Sequence, residues 1–191
     1  AREGCAVTLF EKNEKLGKKV FITGKGRCNL TNACDVEDLF PAVKTNAKFL
    51  YSSFYGFTNQ DVMDFFEELG MRTKIERGER VFPLSDHSSD VIRTLEEEMK
   101  RLGVKIRLNT SVKKIEAKDG HFTGVVLSDG KKVSGDACVV ATGGISYPST
   151  GSTGDGYRFA KELGLEVTDC LPSLVPMETQ EDWVPELQGL S

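Results

Sequence analysis

The sequence predicts an α/β fold in which a three-stranded antiparallel meander stands where a crossover helix is usual. Three features carry that reading. A short apolar run, Ala6–Phe10, ends in the acid Glu11. The pairs Asp119-Gly120 and Asp129-Gly130 separate alternating runs, the strongest short-range hairpin signal. A second apolar run, Ala137–Ala141, enters Thr142-Gly143-Gly144 and a loop of hydroxyls and glycines ahead of a helix. Glycines at the C-terminal end of a strand let the backbone approach a ligand with no Cβ in the way. Strand ends leading into helix N-termini are also where open α/β sheets hold ligands.

The elements follow in order. Ala1–Gly4 reads as the last turn of a helix with a glycine C-cap, so the chain is expected to begin inside a βαβ unit and to lack its first strand and turn. Lys12–Thr31 reads as a lysine- and glycine-rich loop pinned by Val20, Phe21 and Ile22, and residues 35–55 as short aromatic-rich helices. The aromatic cluster at 49–57 is expected in the core. Thr58 caps a helix over 59–69, with Val62, Phe65, Phe66 and Leu69 on one face and Gly70 as its stop. Strands Arg72–Ile75 and Arg80–Phe82 flank a turn. A helix over 89–102, capped by Ser88 or Ser89, ends at Gly103, and Val104–Leu108 is a strand. The meander is Ser111–Ala117, His121–Leu127 and Lys132–Ser134, delivering the chain to a buried strand at Ala137–Ala141 and then a helix over 154–163. A domain over 1–178, with 179–191 opening a second, is the expected division.

Composition narrows the function classes. With 39% hydrophobic and 28% charged residues, the 191-residue chain reads as globular rather than disordered. A formal net charge of −4 provides no general basic field for nucleic acid. No apolar run reaches the ~20 residues of a membrane span. The five cysteines are odd in number and form no Cys-x-x-Cys, so neither a disulfide framework nor a zinc site is indicated, and a cytoplasmic setting is expected. Cys5 and Cys138 read as small core residues.

Candidate site residues cluster in three places. In dinucleotide-binding βαβ units, an acid at the end of the second strand, roughly 20 residues past the first glycine, hydrogen-bonds a ribose. Glu11, followed by Lys12, occupies that place; the alternative is an exposed strand-end acid. The run Lys25-Gly26-Arg27-Cys28-Asn29 offers backbone N–H groups and a guanidinium fork suited to a pyrophosphate or a polar ring edge, against the alternative of a solvated basic loop. Tyr147, Thr150, Ser152 and Asp155 line a ligand, or Asp155 is simply the first-turn acid of its helix. His121 is expected to be exposed, and nothing in the sequence assigns a general acid or base to His87.

Three signatures coincide with the Phe10-Glu11-Lys12 strand end: Gly24-Lys25-Gly26-Arg27-Cys28-Asn29-Leu30-Thr31-Asn32, Gly143 to Gly156, and Pro172-Ser173-Leu174-Val175-Pro176. Together they resemble a bacterial family of FAD-dependent flavoproteins whose members include bile-acid 3-oxo or enoyl reductases and aminoacetone oxidases. The resemblance implies an FAD/NAD(P)-binding Rossmann-like domain of the glutathione-reductase type, incomplete here, in a longer protein that carries a Gly-x-Gly-x-x-Gly turn and a segment completing the flavin site. It also implies that Ala141, Thr142, Gly143 and Gly144 pass close to FAD and that Val112 meets the adenine through its backbone. The implied activity is hydride transfer between flavin and a small organic substrate, with NAD(P)H as a candidate electron donor. Two other readings stay open: a cofactor-binding fragment without turnover, and an NAD(P)-only enzyme.

Overall fold

A computed structural model of the chain describes residues 1–171 and 179–187. The Pro172–Pro176 signature and the expected domain boundary at 178 lie outside the described residues. The elements are β1 (Thr8–Phe10), α1 (Lys18–Ile22), β2 (Thr31–Asn32), α2 (Val36–Leu39), α3 (Tyr51–Gly56) and α4 (Asn59–Glu68). They continue as β3 (Thr73–Glu76), β4 (Arg80–Pro83), α5 (Ser88–Arg101), β5 (Lys105–Arg107), β6 (Val112–Lys118), β7 (His121–Leu127), β8 (Lys132–Ser134) and α6 (Asp155–Glu162).

Strands β1 and β5 pair in parallel, Thr8 beside Lys105 and Phe10 beside Arg107. A parallel pair needs a long crossover. Here the crossover contains α1–α5 and a second sheet, ordered β2-β4-β3 and antiparallel. The third sheet is the meander β6-β7-β8, at the positions read from the Asp-Gly turns.

Helix α4 begins with a capping box. The Thr58 hydroxyl accepts from the Asp61 N–H, and the Asp61 carboxylate accepts from the Thr58 N–H at 2.7 Å. This satisfies backbone donors that a helix start otherwise leaves unpaired. Met63 and Phe66 are the buried apolar residues of α4; Phe66 joins Val91 of α5, Cys28 and Met71 in one core. A second core joins the meander to α6 through Ile115, Val125, Leu127 and Phe159, with Phe10 of β1 packed against it.

Several expectations change. The loop at Lys12–Thr31 contains α1 and a 3-10 turn at Thr23–Gly26, because Val20 is drawn onto the Cys28 core. Ser88 does not cap α5: it is buried, and its hydroxyl donates to the Phe21 carbonyl at 2.9 Å, which leaves His87 at the cap position. The aromatic residues at 49–57 form a surface cluster, with Phe49 83% exposed. Phe40 and Tyr51 stack edge to face there at 4.5 Å. Ala137–Ala141 is not a buried strand. It makes no ladder with any described strand, and Val139 is 90% exposed. Without a hydrogen-bonded neighbour, an apolar run keeps neither a ladder nor a covered face. Cys5 and Cys138 are exposed for the same reason.

Candidate functional site

The site forms where the end of β1 meets the loop before α6. Glu11 follows β1 directly, and its backbone is held on both sides: its N–H donates to Arg107 and its carbonyl accepts from Thr110. The half-buried Glu11 carboxylate is gripped at Oε1 by two donors of Asn13, the backbone N–H at 2.8 Å and Nδ2 at 2.9 Å. Among the described residues, Oε2 makes no hydrogen bond. Asn13 Nδ2 also donates to the Thr150 carbonyl at 3.1 Å.

The next side chain turns away from Glu11. Lys12 Nζ donates to Thr153 Oγ1 and Asp155 Oδ2, at 2.6 and 2.8 Å. The Lys12 ammonium, ahead of Thr153 and Arg158, holds the Asp155 carboxyl below the usual aspartate range against the opposing effect of burial. Asp155 is therefore both the first-turn acid of α6 and the anchor of Lys12.

Glycines make the close approaches of this region. Gly151 has φ +101°, and a Cβ there would stand 2.7 Å from Asn13 Nδ2. A Cβ on Gly156 would stand 2.8 Å from Thr142 Oγ1, so the first turn of α6 can lie directly against the 140–142 stretch. Gly143 adopts φ +72° beside the Ser152 hydroxyl, and the Gly144 carbonyl accepts from Gly154 N–H. Ala141, Thr142 and Gly143 are exposed. Gly143 approaches Ser152, and Gly151 lies beside Asn13, so this exposed stretch connects through the loop before α6 to the residue that holds Glu11. Val112 opens β6 two residues after Thr110 and packs, half-buried, on the meander core.

The second group of candidate residues lies on the turn after α1. Gly24, Lys25 and Cys28 all take left-handed backbone conformations. The Lys25 side chain is exposed, and Gly26 carries φ +84°. The Arg27 guanidinium is engaged within the chain: Nε donates to Asp86 at 2.7 Å, Nη2 reaches Glu76, and its carbon lies 4.1 Å from the centre of the Phe82 ring. Lys74 completes a four-charge network through Asp86. The two cations hold Glu76 and Asp86 below their ordinary ranges, Arg27 being the larger influence on Glu76 and Lys74 on Asp86. Cys28 is buried, and burial pushes its thiol up, away from a reactive thiolate. The Asn29 amide is oriented to donate to the Thr31 and Val81 carbonyls, closing this turn onto β4.

One lysine bridges the two groups. Lys19 Nζ donates to the Ser146 carbonyl at 2.7 Å and sits 4.7 Å from the Tyr147 ring centre. Tyr147 itself has φ +52° and is 66% exposed. Asn13 and Lys19 escaped the sequence reading because each acts through residues more than 120 positions away, on Thr150 and Ser146. Glu76 and Asp86 escaped it likewise, 49 and 59 positions from Arg27. No group of three potential metal-ligating side chains occurs among the described residues.

A strand-end acid, a glycine-opened turn and a helix start thus lie together on a mixed α/β frame. The chain belongs to the HI0933-like protein Rossmann domain family, whose model matches residues 1–173. It is 33% identical over 175 residues to the 3-dehydro-bile acid delta(4,6)-reductase of Clostridium scindens, covering 92% of this chain and 42% of that protein. It is 31% identical over 188 residues to the ribosomal RNA dihydrouridine synthase of Escherichia coli strain K12, covering 98% of this chain and 46% of that one. The chain thus spans less than half the length of these relatives. Among solved structures, the open conformation of a flavocytochrome c3 fumarate reductase shares the fold, with TM-score 0.57, 23% identity, and 85% of this chain and 36% of that one covered. Thermovibrio ammonificans THI4 also shares it, with TM-score 0.55, 12% identity, and 86% and 56% covered.

Proposed function

We propose that the whole protein is an FAD-dependent oxidoreductase that transfers a hydride between flavin and a small organic substrate, with NAD(P)H as its electron donor. The observation that carries this reading is the Glu11 carboxylate, fixed at one oxygen and open at the other, and tied through Asn13 and the Thr150–Ser152 loop to the glycine turn at Gly143–Gly144. That pairing fits a cofactor with a ribose diol at one end and an extended phosphate and ring system beside a glycine turn. Residues 1–178 form the FAD-binding domain and 179–191 open a substrate-side domain.

Bound flavin would supply the hydride chemistry; the protein holds and tunes it. Glu11 would accept from the adenosine ribose hydroxyls, and Val112 would meet the adenine through its backbone. Ala141–Gly144 and Tyr147 would hold the rest of the cofactor. Lys12 and Asp155 hold the start of α6 in place. Lys25, Gly26 and the backbone of Asn29 would hold the phosphates or the polar ring edge, while the Cys28 N–H is already given to the Thr23 carbonyl. Arg27, committed to Glu76 and Asp86, contributes by fixing this turn.

The name of the Clostridium relative supports a small-molecule substrate, and no described helix is long and apolar enough to cross a membrane. RNA is the second reading of the substrate, favoured by the name of the Escherichia relative. The test is a visible absorbance spectrum of the purified full-length protein, followed by anaerobic reduction with NAD(P)H. Reoxidation of the reduced protein is then compared with a conjugated steroid enone and with uridine-containing RNA. A protein that carries no flavin and gains none on titration contradicts the proposal.

A further inference from the structure

We infer that Asn13 is a positioning residue for the cofactor acid, acting through Glu11; the inference rests on the FAD reading above. A glutamate at a strand end has a broad terminal torsion, so an unrestrained carboxylate presents its oxygens in many directions. Here two donors of one residue converge on Oε1, the Asn13 N–H at 2.8 Å and Nδ2 at 2.9 Å. Fixing one oxygen sets the direction of the other.

Asn13 suits this task in charge as well as shape. A neutral amide orients the carboxylate without neutralising it, so Oε2 keeps its full strength as an acceptor for hydroxyl donors. The neighbouring cation does not compete, because Lys12 is drawn to Thr153 and Asp155. The same amide nitrogen donates to the Thr150 carbonyl at 3.1 Å, tying the acid to the loop that follows the glycine turn. Gly151 leaves the room for it: a Cβ there would stand 2.7 Å from Nδ2. One side chain therefore registers the acid against the glycine-rich loop, across 137 positions of sequence.

The test is a double-mutant cycle on FAD affinity in the full-length protein, read by flavin fluorescence titration, with the unfolding midpoint of the flavin-free protein as a second readout. Asn13→Ala is expected to weaken FAD binding about tenfold, as loss of a hydrogen bond to a charged group does. In a Glu11→Ala background the same substitution should cost less than about twofold, because its effect runs through the carboxylate. A general structural role would instead add in full to Glu11→Ala and lower the flavin-free midpoint in step with affinity. That additivity, or unchanged affinity in Asn13→Ala, overturns the inference. A wild-type protein that binds no FAD overturns the functional reading itself, a separate outcome. If Asn13→Ala does not fold, Asn13→Ser retains a donor on a shorter arm. It is expected to show a smaller loss that again vanishes with Glu11→Ala.

Discussion

Two regions of this chain are built on opposite terms. Around Cys28, Phe66, Met71 and Val91, the helices α4 and α5 and the sheet β2-β4-β3 close on themselves. Val81 is wholly buried, and the charges are matched: Glu98 by Arg2 and Arg101, Arg27 and Lys74 by Glu76 and Asp86. From Ala137 to Tyr157 the terms reverse. Val139, Ile145 and Tyr147 are exposed, several backbones are left-handed, and the close contacts run through glycine. The first region needs no ligand to satisfy its groups. The second keeps apolar side chains, backbone and one glutamate oxygen in the open, as a surface that receives another molecule does. In this chain, the closed core and the proposed recognition surface fall largely to different residues.

Truncating the closed region should cost most. Phe66, 6% exposed within that core, is expected to lose about 3–5 kcal/mol as Phe66→Ala in urea unfolding, through lost burial and a residual cavity. A loss below about 1 kcal/mol would mean the core is not self-contained.

The seam where α6 meets the 140–142 stretch should respond less strongly. Gly156→Ala places a methyl 2.8 Å from Thr142 Oγ1, an overpacking expected to cost about 1–3 kcal/mol. Adding Thr142→Ala should recover most of it. An unimpaired Gly156→Ala would show that the seam is loose.

Acid should find the closed region through Glu98. Hydrogen bonds from Arg101 and then Arg2 hold this carboxyl down at about 2, below its ordinary 4.5. A folded-state value below the unfolded one gives stability that is present above pH 4.5 and lost as pH falls towards 2. The urea midpoint should therefore drop across that window, and Glu98→Gln should flatten the drop. An unchanged acid limb in Glu98→Gln would place the acid sensitivity elsewhere.

The smallest effect belongs to the open region. Val139 is 90% exposed, and Val139→Ser should leave the stability of this chain within about 0.5 kcal/mol of wild type. A large loss would show that the side chain is covered.

The same division explains what the sequence disclosed. Local chemistry was legible. Thr58 announces the start of α4, the Asp-Gly pairs place the meander turns, and Gly70, Gly103 and Gly164 end their helices with positive φ. The family was legible too, since its signatures are contiguous runs. Partners brought together by the fold were not. The lysines and arginine of α1 and the turn after it look alike in sequence. Yet Arg27 is held by Glu76 and Asp86, Lys19 by Ser146, and Lys25 stays exposed. Ala137–Ala141 has the composition of a buried strand, but composition does not provide the neighbour that would bury it.

The most direct test of this division is hydrogen exchange of the full-length protein with and without FAD. FAD is expected to slow exchange in residues 8–13, 25–29, 112 and 139–157 and to leave residues 59–101 unchanged. Slowing spread equally over 59–101, or none in those site stretches while FAD is bound, would contradict this division.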